Sequence, residues 1–473
     1  MTSARVDPVG DDTIVGMKSV LNLQGAVSTM AKSLRTPILS AALAIMLLGL
    51  GVHPAQAQPA GNCAIGPGTG ASLVFPYFEV DLANANSLTT LISINNGGGS
   101  PVLARVVLWT DWGVPTLAFD VYLTPTDVQT INVNSLFNGN IPSTGEGVDL
   151  SDLEFCELFP PSHDNPILTD EEQGQLSADH RGVSGPIFTD CAGQTYGDGI
   201  ARGYITVDVV DECSGVESAN EGPIFTPDNI TWPYFSDDPM VNAIGTNDNV
   251  LWGDSIIVDF QGNAAQGSEA IALWANGDLF DTTGIYTFYG GYSGFDGRDD
   301  RVPLPTVWNQ RFLNGGVFGG GADILAFRPL EQAPAFAACG STPSWYPFTS
   351  GIDTFDEDAD NGLRLADDLF PAVTQRVSVD DFGIPYDFGF VQVGDGADQE
   401  QMWVQPSLTA GGLFSSQFNG SPIAFLCDAI PPMAVTAAPS GVTTERAQRT
   451  RRQPAQVSPK VAARAKQLAA QGQ

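Results

Sequence analysis

The sequence predicts an all-β protein, built from antiparallel β-sandwich modules with long loops and few helices. Apolar residues recur at every second position over short runs, and no long stretch keeps the 3.6-residue period of a helix. Turn-forming residues, 52 Gly and 33 Pro, break the 473-residue chain between those runs.

Residues 89–95 (TTLISIN) place Leu91 on the opposite face from Ile92 and Ile94. Residues 102–110, 117–123 and 128–133 follow as three more strands, joined by Asn96-Gly97-Gly98-Gly99, Trp112-Gly113-Val114-Pro115 and Thr124-Pro125-Thr126-Asp127. Together they predict an antiparallel sandwich module of about 80 residues. The stretch 141–199 is rich in Pro, Gly and acids and reads as a long insertion. Beyond it, residues 204–210 alternate Ile205, Val207 and Val209 against Thr206 and Asp208. Residues 250–260 carry Trp252, Ile256, Val258 and Phe260 on one side. Runs at 269–274, 285–289, 323–328, 375–379, 388–393, 401–404 and 423–427 complete the strands.

The expected division is a leader over 1–57, a sandwich module over 58–145, a central β-rich domain over 146–335, a C-terminal β-rich domain over 336–436, and a basic flexible tail over 437–473. The leader reads as a signal peptide. Lys32 and Arg35 precede a 15-residue apolar run, residues 38–52, and Ala55-Gln56-Ala57 follows as a small-residue cleavage site. Asp7, Asp11 and Asp12 do not suit a positive head, which points to translation from Met17 or Met30. The run is short for a membrane span, so the mature chain is expected to be periplasmic or extracellular, without a transmembrane segment.

All six cysteines, Cys63, Cys156, Cys191, Cys213, Cys339 and Cys427, follow that cleavage site. In an oxidising compartment an even number favours three disulfides, for which fifteen pairings exist. Cys191 with Cys213, and Cys63 with Cys427, are two candidate pairs. No two cysteines are closer than 22 residues, which leaves no redox or zinc-ribbon spacing.

Between Gln58 and Ser440 stand 50 Asp plus Glu against nine Arg and no Lys. Such a body repels phosphate backbones and excludes nucleic acid as an expected partner. After Ala437 the balance reverses, and residues 441–473 hold seven Lys or Arg and one Glu.

Leu73-Val74-Phe75-Pro76-Tyr77-Phe78, Thr90-Leu91-Ile92-Ser93-Ile94-Asn95 and the strand ending at Trp109 belong to one recognisable stretch. With Phe119-Asp120-Val121-Tyr122-Leu123-Thr124-Pro125 and Asp127-Val128-Gln129-Thr130, they resemble a loosely defined group of uncharacterised secreted bacterial proteins. The resemblance covers about 65 residues, with weaker similarity at 201–208 and 304–308. It implies export and a β-sandwich-like body, and it carries no activity and no functional residues.

Catalytic motifs are scarce. Gly182-Val183-Ser184-Gly185 and Gly291-Tyr292-Ser293-Gly294 have glycine in the wrong place for a nucleophile elbow. His163 and His180 are the only imidazoles after the leader, and both lie in the loop-rich stretch, where a solvated side chain is expected. Gly66-Pro67-Gly68-Thr69-Gly70 lacks the lysine and following helix of a phosphate loop. Asp356-Glu357-Asp358-Ala359-Asp360-Asn361-Gly362, with Asp367 beyond it, spaces carboxylates as a calcium loop does. Asp356, Asp358, Asp360 and Asp367 are therefore candidate Ca²⁺ ligands. Trp112, Trp345 and Tyr346 are candidate exposed aromatics for stacking on sugars. These features point to a non-catalytic structural, adhesion or glycan-binding protein at the cell surface or beyond it. The alternative is a secreted polysaccharide hydrolase using a carboxylate pair.

Overall fold

The computed structural model describes residues 68–84, 86–144, 168–211, 217–218, 245–275, 287–289, 299–313, 321–329, 336–341, 351–358, 362–365, 370–394, 400–409, 415–417 and 420–425. These residues build an all-β, sandwich-like fold of four antiparallel sheets, and they lie within one compact unit, Gly61–Gln473.

The middle layer is a six-stranded sheet. Its strands are β1 (Ser72–Asp81), β3 (Val102–Thr110), β4 (Pro115–Leu123), β6 (Ile200–Val210), β7 (Glu217–Ser218) and β10 (Ile271–Leu273), in the order β10-β1-β6-β3-β4-β7. Its long strands are apolar at nearly every position because both faces are covered. Leu73, Phe75, Ala104, Val106, Leu108, Phe119, Ile205 and Val207 pack on one side. Val74, Val107, Trp109, Ala118 and Tyr204 pack on the other. A bulge between Phe75 and Phe78 in β1 shifts the register against β6, at the Pro76 that cannot donate to the ladder.

The first side is covered by a four-stranded sheet, ordered β5-β2-β8-β9, from β2 (Leu88–Asn96), β5 (Val128–Asn132), β8 (Leu251–Asp259) and β9 (Ala264–Glu269). The four strands expected as one early module thus divide between two sheets, and later strands complete both. Two helices close the end of this sandwich. Helix α1 (Val133–Phe137) buries Leu136 and Phe137. Helix α2 (Asp170–Asp179) begins at a capping box, in which the Thr169 side chain accepts from the Glu172 N–H and Glu172 bonds back to the cap. Part of the stretch read as insertion is therefore ordered helix, with Leu176 in the core.

The other side meets two smaller sheets. One, ordered β14-β13-β16-β11-β19, contains β11 (Pro305–Leu313), β13 (Ile352–Asp356), β14 (Gly362–Arg364), β16 (Phe388–Val393) and β19 (Ser421–Phe425). The second, ordered β15-β12-β17-β18, contains β12 (Ala322–Phe327), β15 (Thr374–Ser378), β17 (Trp403–Thr409) and β18 (Ser415–Gln417). Trp308, Phe327, Ile352, Val391 and Val404 join Trp109 and Tyr204 in one core. Tyr204 stacks on Trp109 with ring centroids 5.6 Å apart and meets Phe327 edge-on at 5.0 Å. Each such ring contributes about 1.5–3 kcal/mol by burial.

Cys191 is bonded to Cys339, 148 residues away, with Cα atoms 5.0 Å apart. This corrects the Cys191–Cys213 candidate. Backbone pairing of Cys191 with Ala337 brings the two segments into register, and the bond closes over buried Trp112. Cys63, Cys156, Cys213 and Cys427 lie outside the described residues.

Candidate functional site

The four-stranded sheet β5-β2-β8-β9 turns one face to the middle layer and the other outward. Alternation along β8 buries Leu251, Gly253, Ser255 and Ile257 and presents Trp252, Asp254, Ile256 and Val258 on the outer face. Trp252, Ile256 and Phe260 are 46%, 41% and 63% exposed. The apolar side read from residues 250–260 is therefore the solvent side. The reason lies beneath it. Phe75 and Leu73 rise from β1 against Gly253, where an added Cβ would stand 3.1 Å from Phe75 Cζ and 2.4 Å from the Ser93 carbonyl. The inner face of β8 has room for small side chains at that point, and the large residues go outward.

Register defines three rows across this outer face. Thr130, Ser93, Asp254 and Glu269 form a polar row across all four strands. On one flank run Val128, Asn95 and Trp252. On the other run Asn132, Leu91, Ile256 and Gly267. Asp254 and Glu269 are direct cross-strand partners, so their Cβ atoms stand about 4.5–5.5 Å apart. Asn95 Nδ2 donates to Ser93 Oγ at 3.1 Å, and Ser93 Oγ donates to Asp254 Oδ2 at 2.8 Å. This relay orients the carboxylate before any ligand arrives.

Beside the polar row the surface sinks into a cleft of 510 Å³ lined by Gly68, Thr69, Trp252, Gly253, Asp254, Glu269, Ala270 and Ala272. Ala270 and Ala272 continue from β9 into β10, alternating with the buried Ile271 and Leu273. The same alternation puts Trp274, 42% exposed, on their face. The cleft thus has an indole, small residues, the Thr69 hydroxyl and two carboxylates, and a second exposed indole lies beyond it.

Other sequence candidates fall elsewhere. Trp112 is fully buried against the disulfide and cannot serve as a stacking platform. It sits in the turn from β3 to β4, which the C-terminal half covers: the Val373 N–H donates to the Asp111 carbonyl. Trp345 and Tyr346 lie outside the described residues, as does His163. His180 is buried rather than solvated, at the C-terminal end of α2 between the rings of Phe78 and Phe137. The Arg202 carbonyl, 2.8 Å from Nδ1, can only accept, which assigns the proton to Nδ1. Nε2 then accepts from the Thr116 hydroxyl at 2.7 Å. Burial pushes the imidazole down to about 4, only partly offset by the Arg202 carbonyl.

Asp356 ends β13 and Asp358 stands in the turn toward β14, whose Gly362 pairs with Phe355. Asp360 and Asp367 lie outside the described residues. Asp356 and Asp358 thus stand at one end of the β13–β14 pair, and among the described residues no group of three or more His, Cys, Asp or Glu could hold a metal ion.

A second charged cluster lies inside the molecule. Glu79 on β1 accepts from the Tyr77 hydroxyl at 2.5 Å, and its carboxylate lies 3.6 Å from Arg202 Nε and 3.3 Å from Arg376 Nη1. Arg202 lies over the Tyr196 ring at 4.3 Å, and the Tyr196 hydroxyl donates to Asp111. Burial pushes the Asp111 carboxyl up to about 7, against the Gln194 N–H and the Tyr196 hydroxyl that it accepts from. These groups link the layers, with Glu79 and Asp111 buried.

Trp252 and Trp274 are not among the aromatics expected from the sequence to be exposed for stacking. The available signal was two apolar faces on one short strand: Leu251 and Ile257 on one, Trp252 and Phe260 on the other. Only one of those faces can meet the middle layer. Comparison with family models, curated proteins and solved structures gives no match for this chain.

Proposed function

We propose that this is an exported, non-catalytic glycan-binding protein that holds carbohydrate on the outer face of the sheet β5-β2-β8-β9. The observation that carries this reading is Trp252, exposed along a cleft that the cross-strand pair Asp254 and Glu269 also lines. An indole offers a flat apolar surface for the C–H face of a sugar ring, and carboxylates accept from its hydroxyls. The acidic body argues against nucleic acid. Among the described residues no helix is long and apolar enough to cross a membrane.

The same pair supports a second reading. Two carboxyls side by side on one face are what glycoside hydrolysis uses. Such an enzyme needs one carboxyl kept protonated by an apolar, water-excluded setting. Here Glu269 is exposed and Asp254 half-buried on an open face, which favours binding over cleavage.

Affinity electrophoresis of the purified protein through gels containing soluble polysaccharides tests both. Retardation by at least one polysaccharide, lost in Trp252→Ala and unaccompanied by new reducing ends, is the expected result. No retardation in any gel refutes the binding reading, and release of reducing ends that disappears in Glu269→Gln establishes the hydrolase.

A further inference from the structure

The chemistry of the cleft narrows the sugar it takes. We infer that the site selects a cationic glycan, an oligomer of 2-amino-2-deoxy sugars with free amines, by seating an ammonium group between Trp252, Asp254 and Glu269. This rests on the glycan reading above and extends it to a ligand class.

The lining offers two carboxylates, the Thr69 hydroxyl, the Trp252 indole and otherwise apolar surface, and no cationic side chain: Gly68, Gly253, Ala270 and Ala272 contribute no polar side-chain atom. The Ser93 hydroxyl donates to one oxygen of Asp254, Oδ2. No side chain of the lining supplies a positive charge to the two carboxylates, so a ligand that neutralises them must bring its own. Two carboxylates on facing residues of adjacent strands repel each other, and like charges directly opposite destabilise a sheet. An ammonium between them relieves that repulsion and forms charge-assisted hydrogen bonds with both. The indole beside them adds attraction of a different origin, between the cation and the negative face of the ring. The two groups together favour an amine over a hydroxyl or an acetamide at the same position.

Charge at longer range acts the same way. With 50 acids against nine Arg between residues 58 and 440, the body repels uronic and sulfated glycans and attracts polyamines. Trp274, on the face that carries Ala270 and Ala272, extends the apolar track beyond the cleft and suits an oligomer better than a single sugar.

The test is calorimetric titration of the purified protein at about pH 6, where a primary amine is protonated. Three tetrasaccharides are compared: glucosamine, N-acetylglucosamine and glucose. The glucosamine tetramer is expected to bind about tenfold or more tighter than the other two. That preference should collapse in Asp254→Asn/Glu269→Gln and weaken as salt screens the carboxylates. Trp252→Ala should lose all binding. Equal or tighter binding of the acetylated or neutral tetramer overturns the inference while leaving the glycan reading intact. So does an amine preference that survives in the double variant. No binding of any tetramer overturns both. Tetralysine binding as tightly as the glucosamine tetramer, and lost with Trp252→Ala, overturns the sugar assignment in favour of a basic peptide.

Discussion

Arg376 of β15 reaches the carboxylate of Glu79 on β1, Nη1 to Oε2 at 3.3 Å, and so joins residues 297 positions apart in the chain. The same carboxylate receives Tyr77 and lies close to Arg202, while Arg376 also donates to Asp323 at 2.9 Å and to Gln266 of β9 at 3.3 Å. One acid thus holds two of the nine arginines of the body and ties three sheets together.

Glu79→Gln keeps the shape of that acid and removes its charge. Breaking a buried pair leaves an uncompensated ion, which usually costs roughly 3–5 kcal/mol. Arg202 keeps Asp198 and Arg376 keeps Asp323, so the expected loss is about 3 kcal/mol. Urea denaturation checks it, and a midpoint equal to that of the unaltered protein would show that the cluster is not a clamp.

Stability should fall as pH rises from mild acid toward neutrality. Burial pushes Asp111, Asp179 and Asp299 up to about 7 each. A carboxyl raised in the folded state contributes stability at low pH that is lost as pH climbs toward that value. His180 works in reverse: held down at about 4, it costs stability as pH falls below its ordinary value of 6.5. Three carboxyls oppose one imidazole over the shared interval, so the net slope is negative. The melting temperature at constant ionic strength is expected to be higher at about pH 5 than at about pH 7.5. Asp111→Asn, which can still accept from the Gln194 N–H, should flatten the slope. A melting temperature that rises over this range would reverse the balance drawn here.

Reduction should destabilise the protein substantially. The Cys191–Cys339 bond closes a loop of 148 residues, and removing a native bridge costs about 2–5 kcal/mol. Cys339 is exposed, which gives a reductant access. Cys191→Ser/Cys339→Ser is expected to melt well below the oxidised protein, and reductant should lower its melting temperature less than it lowers that of the unaltered chain.

Local pattern and tertiary demand part company at identifiable residues. Strands β2, β3 and β4 stand close to where alternation and Gly- and Pro-containing turns place them, because both signals act over a few residues. Helix α2 escapes the period because its apolar residues are few, Leu176 and Ala178 among acids and glutamines, although the Thr169 and Glu172 spacing of its capping box is visible in the chain. The partner of Cys191 is set by β-pairing with Ala337, a contact without local trace. Trp112 is buried because the distant C-terminal half folds over its turn, and turn composition alone says nothing of that cover. The candidate cleft depends on β8 facing inward with its small residues, a choice made by Phe75 and Leu73 on β1.

That choice can be tested on β8 itself, with two substitutions three residues apart. At Gly253 a methyl group would meet the Ser93 carbonyl at 2.4 Å, a backbone atom held in the β2–β8 ladder, and the tips of Phe75 and Leu73 at 3.1 and 3.2 Å. Neither the ladder nor the core can yield cheaply, so Gly253→Ala should cost about 1–3 kcal/mol by overpacking. Ile256→Ser removes a large apolar side chain from the same strand, yet on the solvent face, where such changes usually stay within about 0.5 kcal/mol. Ordinary reasoning from residue size predicts the opposite order, with the lost isoleucine doing the damage. Thermal or urea melts of the two variants decide between them, and a larger loss from Ile256→Ser would mean that β8 faces the other way and that Trp252 does not line an open cleft.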